Sequence, residues 1–303
     1  MADLSVNIAG VALKNPLIAA SGAFGFGEEY SAFYPISVLG GVSSKGLTLA
    51  PRPGNPPPRI AETPSGMLNA VGLQNPGLDC FLEQHLPWLR AQDTAVIANI
   101  AGNTPEDYCA MAERLSDSDV DMIEMNISCP NVKQGGVQFG TSCENAAGIT
   151  AKVRRVCRKP LMVKLSPNVA DIGEIAAAVE AAGADAISLI NTLTGMRIDI
   201  RTRRPIIRNN TGGLSGPAVF PVAVRMVWQV YSRGKIPVVG LGGITTWEDA
   251  VEMLLAGASA LQIGTALFTD PYTPQKILAG LEHYLSENGI ASITELTGKV
   301  QPW

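Results

Sequence analysis

Asn126, Ile127, Ser128, Cys129, Pro130 and Asn131 bring a thiol and three short hydrogen-bonding side chains together where an apolar run, residues 122–127, ends. A thiol has an ordinary pKa of about 8.5, within reach of general acid–base work near neutral pH once its surroundings adjust it. Asn126, Ser128 and Asn131 each donate and accept, so they could hold a flat ligand rich in carbonyls and N–H groups beside a proton-transferring Cys129. Pro130 stiffens the turn, and Gly135, Gly136 and Gly140 loosen residues 131–141, a composition expected of a lid. A lone cysteine is more often a small hydrophobe, here one buried beside an Asn-Pro turn; the polar neighbours favour the chemical reading. The two histidines, His85 and His283, fall in helical stretches away from strand ends, which leaves Cys129 as first candidate for a base and lysine as second.

Lys164, in Val163-Lys164-Leu165-Ser166-Pro167, closes another apolar run and needs an anion to meet its charge. It could be a Schiff-base nucleophile of a lyase, a ligand clamp, a structural ion-pair partner, or a contact to the electron-rich edge of a flavin. Gly242-Gly243 and Gly264-Thr265 end two later runs, and glycines there allow the close backbone approach that a phosphate needs, although a tight turn needs them too. No cluster of carboxylates and histidines gathers at these ends, so a catalytic metal is not expected.

Eight short β-rich runs must position these groups: residues 17–20, 38–44, 95–101, 122–127, 161–165, 186–191, 236–241 and 260–263. Several are continuously apolar, which fits a parallel sheet covered on both faces. Helical patterns over 77–90, 105–115, 144–158, 169–182, 217–231, 246–256 and 274–287 lie between them, with Thr246 and Asp249 spaced as an N-terminal cap. This alternation predicts one (β/α)8 barrel (TIM barrel) domain over residues 1–303. Residues 4–13 alternate around Ala9-Gly10 and predict a hairpin capping the barrel's bottom. The run ends then collect Ser21-Gly22, Lys45-Gly46, Asn99, Asn126, Lys164, Asn191-Thr192, Gly242-Gly243 and Gly264-Thr265 on the C-terminal face, where barrel active sites sit. Two extended βα connections follow strands there, 45–75 with six prolines and 194–215, and such lengths inside a compact domain are usually functional.

With 303 residues, 46% of them hydrophobic, the chain can bury a large core. A net charge of −4 and a basic run, 201–208, that is short and interrupted by Pro205 argue against nucleic acid. Five cysteines without a C-x-x-C pair signal neither a disulfide framework nor an iron–sulfur or zinc site. The N-terminal residues lack a secretory pattern, and no uncharged apolar run approaches the roughly 20 residues of a membrane span, so a reducing cytoplasm is the expected location.

Ser21-Gly22-Ala23-Phe24-Gly25-Phe26-Gly27, Asn69-Ala70-Val71-Gly72-Leu73-Gln74-Asn75-Pro76-Gly77, the cysteine motif, Val163-Lys164-Leu165-Ser166-Pro167-Asn168, Ile190-Asn191-Thr192-Leu193, Gly212-Gly213-Leu214-Ser215-Gly216-Pro217 and Gly264-Thr265-Ala266 closely resemble the family 1 dihydroorotate dehydrogenases, flavin enzymes of pyrimidine biosynthesis. The resemblance runs nearly end to end. It implies FMN held by Ser21, Lys45, Gly46, Asn99, Asn126, Lys164, Ile190, Gly216, Gly242, Gly243, Gly264 and Thr265. It implies a pyrimidine carboxylate held by Lys45, by Asn69, Ala70, Val71, Gly72 and Leu73 largely through backbone, and by Asn126, Asn131, Asn191 and Thr192. Cys129 would take a proton from C5 of dihydroorotate while hydride leaves C6 for the flavin, giving orotate. Residues 130–136 with Phe139-Gly140 look like the B type, which uses NAD through a partner subunit carrying FAD and a 2Fe–2S cluster, in an assembly of two catalytic and two electron-transfer subunits built on a homodimer of this chain. The chain itself has no cluster motif and no dinucleotide-binding glycine fingerprint after a strand, so NAD as acceptor would require that partner. The alternatives are an A-type homodimer reducing fumarate, a dihydropyrimidine dehydrogenase, a Schiff-base lyase at Lys164 and a non-catalytic barrel; the quinone-linked relatives carry an N-terminal extension and a serine base. Cys143, at the end of the cysteine loop, is expected to be a spectator.

Overall fold

A computed structural model of the chain describes residues 2–128 and 139–303. Cys129, Pro130, Asn131 and the following glycines Gly135 and Gly136 lie outside the described residues, and so does the expected lid except for residues 139–141. Eight parallel strands close into a barrel in chain order: β1 (Leu17–Ala19), β2 (Gly41–Ser43), β3 (Ala95–Ile100), β4 (Met122–Asn126), β5 (Leu161–Lys164), β6 (Ala186–Leu189), β7 (Val238–Leu241) and β8 (Ala260–Ile263), with β8 pairing back onto β1. Most strand residues are fully buried because helices cover the outside while side chains fill the inside, which is why the runs read as continuously apolar.

The helices follow from amphipathic spacing and from caps. α1 (Pro105–Ser116) starts at a reciprocal capping box between Thr104 and Asp107, and α2 (Cys143–Val156) at Ser142, whose hydroxyl accepts from Asn145 N. α2 buries Ala146, Ile149, Thr150 and Val153, while Ala147 and Val156 are half-buried. α3 (Ile172–Ala181) is capped by Asp171; α4 (Phe220–Tyr231) continues a short 3-10 turn at Pro217–Val219. α5 (Trp247–Leu255) carries the expected Thr246–Asp249 capping box, and α6 (Thr273–Glu287) packs against α5. The 77–90 pattern is helical with a wider turn, in which Leu86 N donates to Phe81 O. No helix among the described residues is long and apolar enough to cross a membrane.

The N-terminal hairpin pairs Val6–Ile8 with Val11–Leu13. Ile8, Val11 and Leu13 meet Ile18, Ile97, Met122, Met162 and Val239 of the strands, a plug that closes the barrel's lower end.

The two long connections carry strands of their own. Ile60–Thr63 and Gly66–Asn69 form a hairpin around Pro64-Ser65, with proline and glycine at the places a tight turn favours. Gly212–Ser215 pairs with Gly66–Asn69 and then with Leu193–Gly195, so both connections merge into one four-stranded antiparallel sheet beside the barrel mouth. Ile198–Asp199 and Arg204–Pro205 make a further small hairpin, and the basic run itself is largely exposed. The strand content of these segments escaped detection because each paired piece is only two to four residues long, too short for a periodic pattern.

Candidate active site

The polar residues at the strand ends surround one pocket at the C-terminal mouth of the barrel, roofed by the four-stranded sheet. β1 leads into Ser21; β2 into Lys45 and Gly46; β3 and β4 contribute Asn99 and Asn126; β5 ends on Lys164. β6 leads into Ile190, Asn191 and Thr192, while Gly216 directly follows the second long connection and Gly242, Gly243, Gly264 and Thr265 follow β7 and β8. Asn69, Val71, Gly72 and Leu73 line the same space from the first connection. Ala70 does not: it is fully buried behind the wall, its N–H donating to Arg59 O at 2.7 Å. A contiguous motif alternates its residues between the two sides of a strand-like segment, so one member faces away. Cys129 and Asn131 lie outside the described residues, and Cys143, the first residue of α2, is not part of the pocket.

The inner wall is organised by a carboxylate that reading the strand ends alone passed over. Glu124, in the middle of β4, is fully buried inside the barrel. Its Oε1 accepts from Ser188 Oγ at 2.7 Å and Gln262 Nε2 at 2.8 Å, and its Oε2 from Ser43 Oγ and Asn99 Nδ2, both at 2.6 Å. Lys164 Nζ stands 3.8 Å from Oε1 and donates to Gln262 Oε1 at 3.2 Å. Both carboxylate oxygens are thus doubly satisfied and a cation is close, the conditions under which a buried charge is tolerable. Burial alone would raise the Glu124 pKa, but the Lys164 ammonium and the Ser43, Ser188 and Asn99 donors outweigh it and hold the pKa below the ordinary carboxylate value. The signal was available: Glu124 in Met122-Ile123-Glu124-Met125 and Gln262 in Leu261-Gln262-Ile263 are polar residues inside apolar runs.

With Nδ2 committed to Glu124, Asn99 is left with Oδ1, which is buried beside Gly46 and has no hydrogen-bond partner among the described residues. A buried acceptor in a pocket wall asks for an N–H from a ligand. Beyond it the chain turns through Gly242 and Gly243 at φ +127° and +78°. A Cβ at Gly242 would lie 2.9 Å from Ala223 Cβ, and one at Gly243 2.7 Å from Gly216 O, so only glycine fits these turns. Gly264 differs: a Cβ there would meet only Ala20 Cβ, at 3.5 Å, on the open side of the pocket. An acceptor for a ring N–H, a cation beside it and a glycine cradle suited to a phosphate together fit the ring and phosphate of a flavin mononucleotide.

Next to this wall Asn126, Ser128 and Asn191 form a second polar group. Asn126 Oδ1 takes Ser128 N at 3.1 Å, Ser128 Oγ at 2.9 Å and Asn191 Nδ2 at 3.3 Å, and Asn191 Nδ2 also reaches Ser128 Oγ at 2.8 Å. Tyr108 of α1 donates its hydroxyl to Asn126 O at 2.8 Å, which pins the end of β4 at the first residue of the cysteine motif. Asn191 Oδ1 accepts from Thr192 N at 2.8 Å, and Asn168 Nδ2 donates to Thr192 O at 3.0 Å. Neither histidine takes part: His85 stacks on Phe26 with Nδ1 3.1 Å from Glu28, and His283 pairs with Glu287 on the exposed side of α6.

Residues 3–285 match the family model described as dihydroorotate dehydrogenase. The chain belongs to the dihydroorotate dehydrogenase family. Its curated relatives include a protein of Geotalea daltonii, 55% identical over 300 residues that make up 99% of this chain and 98% of the relative. A Geobacillus kaustophilus protein is 54% identical over 99% of this chain and 96% of its own length, and one from Petrotoga mobilis 51% identical over 98% and 99%. All three are named dihydroorotate dehydrogenase B (NAD(+)), catalytic subunit. As a member of a dehydrogenase family the chain is an oxidoreductase, and the parallel barrel expected for such a dihydroorotate dehydrogenase is the one it adopts.

Proposed function

We propose that this chain is the catalytic subunit of a B-type dihydroorotate dehydrogenase, oxidising (S)-dihydroorotate to orotate in pyrimidine biosynthesis in the cytoplasm. The observation that carries the reading is that one pocket holds both the inner wall of Asn99 and Lys164 with its glycine cradle and the asparagine group of Asn69, Asn126 and Asn191. FMN, when bound, supplies the two-electron acceptor for the hydride that leaves C6. Gly216, Gly242, Gly243, Gly264 and Thr265 are suited to hold its phosphate, and Ser21, Lys45, Gly46, Asn99, Asn126, Lys164 and Ile190 the rest. Asn69, Asn126, Asn191 and Thr192 match the alternating carbonyl and N–H edge of a pyrimidine, Val71, Gly72 and Leu73 add backbone, and Lys45 offers a cation to its carboxylate. In this reading Asn131 joins them and Cys129 takes the C5 proton, which the adjacent carbonyl makes acidic.

Lys164 lies against a carboxylate, and a salt-bridged ammonium has no lone pair with which to attack a carbonyl, so the geometry does not favour the Schiff-base lyase. The relatives' shared name supports NAD as final acceptor, reached through a separate subunit with FAD and a 2Fe–2S cluster. The test is acceptor-resolved turnover. The purified chain, loaded with FMN, is expected to make orotate with an artificial acceptor, and to reduce NAD only after the electron-transfer subunit is added. Sustained turnover with fumarate alone would replace the B-type assignment with the A type.

A further inference from the structure

Glu124 has no part in the reaction as proposed, yet it governs three groups that do face the pocket. It lies behind the wall, fully buried, and is contacted from five other strands. Asn99, Lys164 and Gln262 each turn one side to the pocket and the other to this carboxylate. Because an ionised carboxylate only accepts, Asn99 and Gln262 must each give it their amide N–H. Asn99 is therefore obliged to show Oδ1, and Gln262 to turn Oε1 toward Lys164 Nζ. A single buried charge thus fixes the donor and acceptor pattern of the inner wall. It also places a negative charge close behind a site whose ligand would gain electrons, in an interior that screens charge weakly.

We propose that Glu124 is a positioning residue: it sets the polarity of the Asn99, Lys164 and Gln262 side chains toward the flavin and, by its charge, holds down the flavin's reduction potential. This rests on the flavin reading of the pocket. Removing the charge while keeping the shape, Glu124→Gln, leaves the Lys164 ammonium without its counter-ion and favours the electron-rich reduced ring. Moving the charge, Glu124→Gln with Gln262→Glu, brings a carboxylate to a pocket-lining position and disfavours reduction. The double variant keeps these partners together, with Ser188 turned from donor to acceptor. The amide introduced on β4 accepts from Ser43 and Asn99 through its oxygen and donates through its nitrogen to Ser188 and to the carboxylate introduced on β8. That carboxylate in turn accepts from Lys164.

The experiment measures the midpoint potential of FMN bound to each form, by anaerobic equilibration with a reference dye. The expected order is Glu124→Gln highest, wild type between and the charge-moved double variant lowest. Glu124→Gln is expected to favour reduced over oxidised FMN by about tenfold relative to wild type, which is about 30 mV for a two-electron couple. A purely structural Glu124 would change thermal stability and FMN occupancy without producing this order. An unchanged or lower potential in Glu124→Gln overturns the role, as does a double variant that fails to fold or does not lie below wild type; the second comparison holds even if the single variant cannot be purified. A wild-type chain that takes up no flavin removes the flavin reading and this role together, whereas a flavin-bound wild type with the order broken removes this role alone.

Discussion

Replacing Gly264 with alanine separates the pocket from the fold. The added methyl would meet only Ala20 Cβ, at 3.5 Å, an ordinary contact, and the backbone at Gly264 is not left-handed. A glycine-to-alanine change at such a site stabilises by about 0.4–1 kcal/mol through the unfolded chain. For a domain of this size that corresponds to a rise in Tm of roughly 1–3 °C at most. A phosphate held by the backbone N–H groups here must bring its oxygens to about 2.9 Å from nitrogen. With the phosphate seated against Gly264, a methyl added on the pocket face takes space its oxygens and bridging atoms would fill, inside the ~3.5–4.0 Å at which heavy atoms pack without repulsion. Overpacking of this kind costs about 1–3 kcal/mol, which weakens FMN binding by roughly 5- to 150-fold. Titrating deflavinated protein with FMN, read by flavin fluorescence, alongside a melting curve gives both numbers. Wild-type affinity at a Tm no lower than that of wild type would refute the placement of the phosphate at Gly264 and Thr265. A control is Gly243→Ala, where the methyl would sit 2.7 Å from Gly216 O at φ +78°; here Tm is expected to fall together with affinity.

Cys129→Ala is expected to retain FMN and lose most turnover at neutral pH, whereas Cys143→Ala stays close to wild type; near-normal turnover of the first variant would remove the thiol from the base role. Tyr108→Phe withdraws the donor from Asn126 O, and its cost of about 1–3 kcal/mol should appear as a lower midpoint in urea unfolding. The depressed pKa of Glu124 has a sign that acid unfolding can read. Above the unfolded value of about 4.5 the carboxylate is ionised in both states and its native contacts contribute in full; below it the unfolded chain takes up a proton first, so that contribution is lost as pH falls through the folded pKa. The stability gap between wild type and Glu124→Gln should therefore be widest near neutral pH and narrow on acidification below about pH 4.5. A gap that is constant or grows toward low pH would mean that Glu124 is not ionised in the folded chain.

The barrel was legible because its strands are buried on both faces, so that Leu161–Lys164 stands out as an unbroken apolar stretch closed by a polar residue and Ala95–Ile100 as one interrupted only by Asn99. The pocket rim was legible for a related reason: in a parallel barrel every strand end lies at the same mouth, so Asn99, Asn126, Lys164 and Gly264 share a site without any pairing needing to be known. What lay hidden depended on partners distant in the chain. The hairpin Ile60–Thr63 with Gly66–Asn69 gains its place from Gly212–Ser215, more than a hundred residues on, and four-residue strands carry no periodic signal of their own. Glu124 was hidden differently. Inside an apolar strand it looks like an exception, and its meaning appears only when Ser43, Asn99, Ser188 and Gln262 are seen to converge on it from other strands. Ala70 shows the converse, a residue within a matching motif whose side of the chain faces away from the pocket.

The most direct measurement of the central claim is anaerobic mixing of the FMN-loaded chain with dihydroorotate, followed by the flavin's visible absorbance in a stopped-flow instrument. Rapid bleaching to one reduced flavin per chain, with an equivalent of orotate formed, is the expected result. A flavin that stays oxidised while the chain is folded and fully loaded would contradict dihydroorotate as the substrate of this pocket.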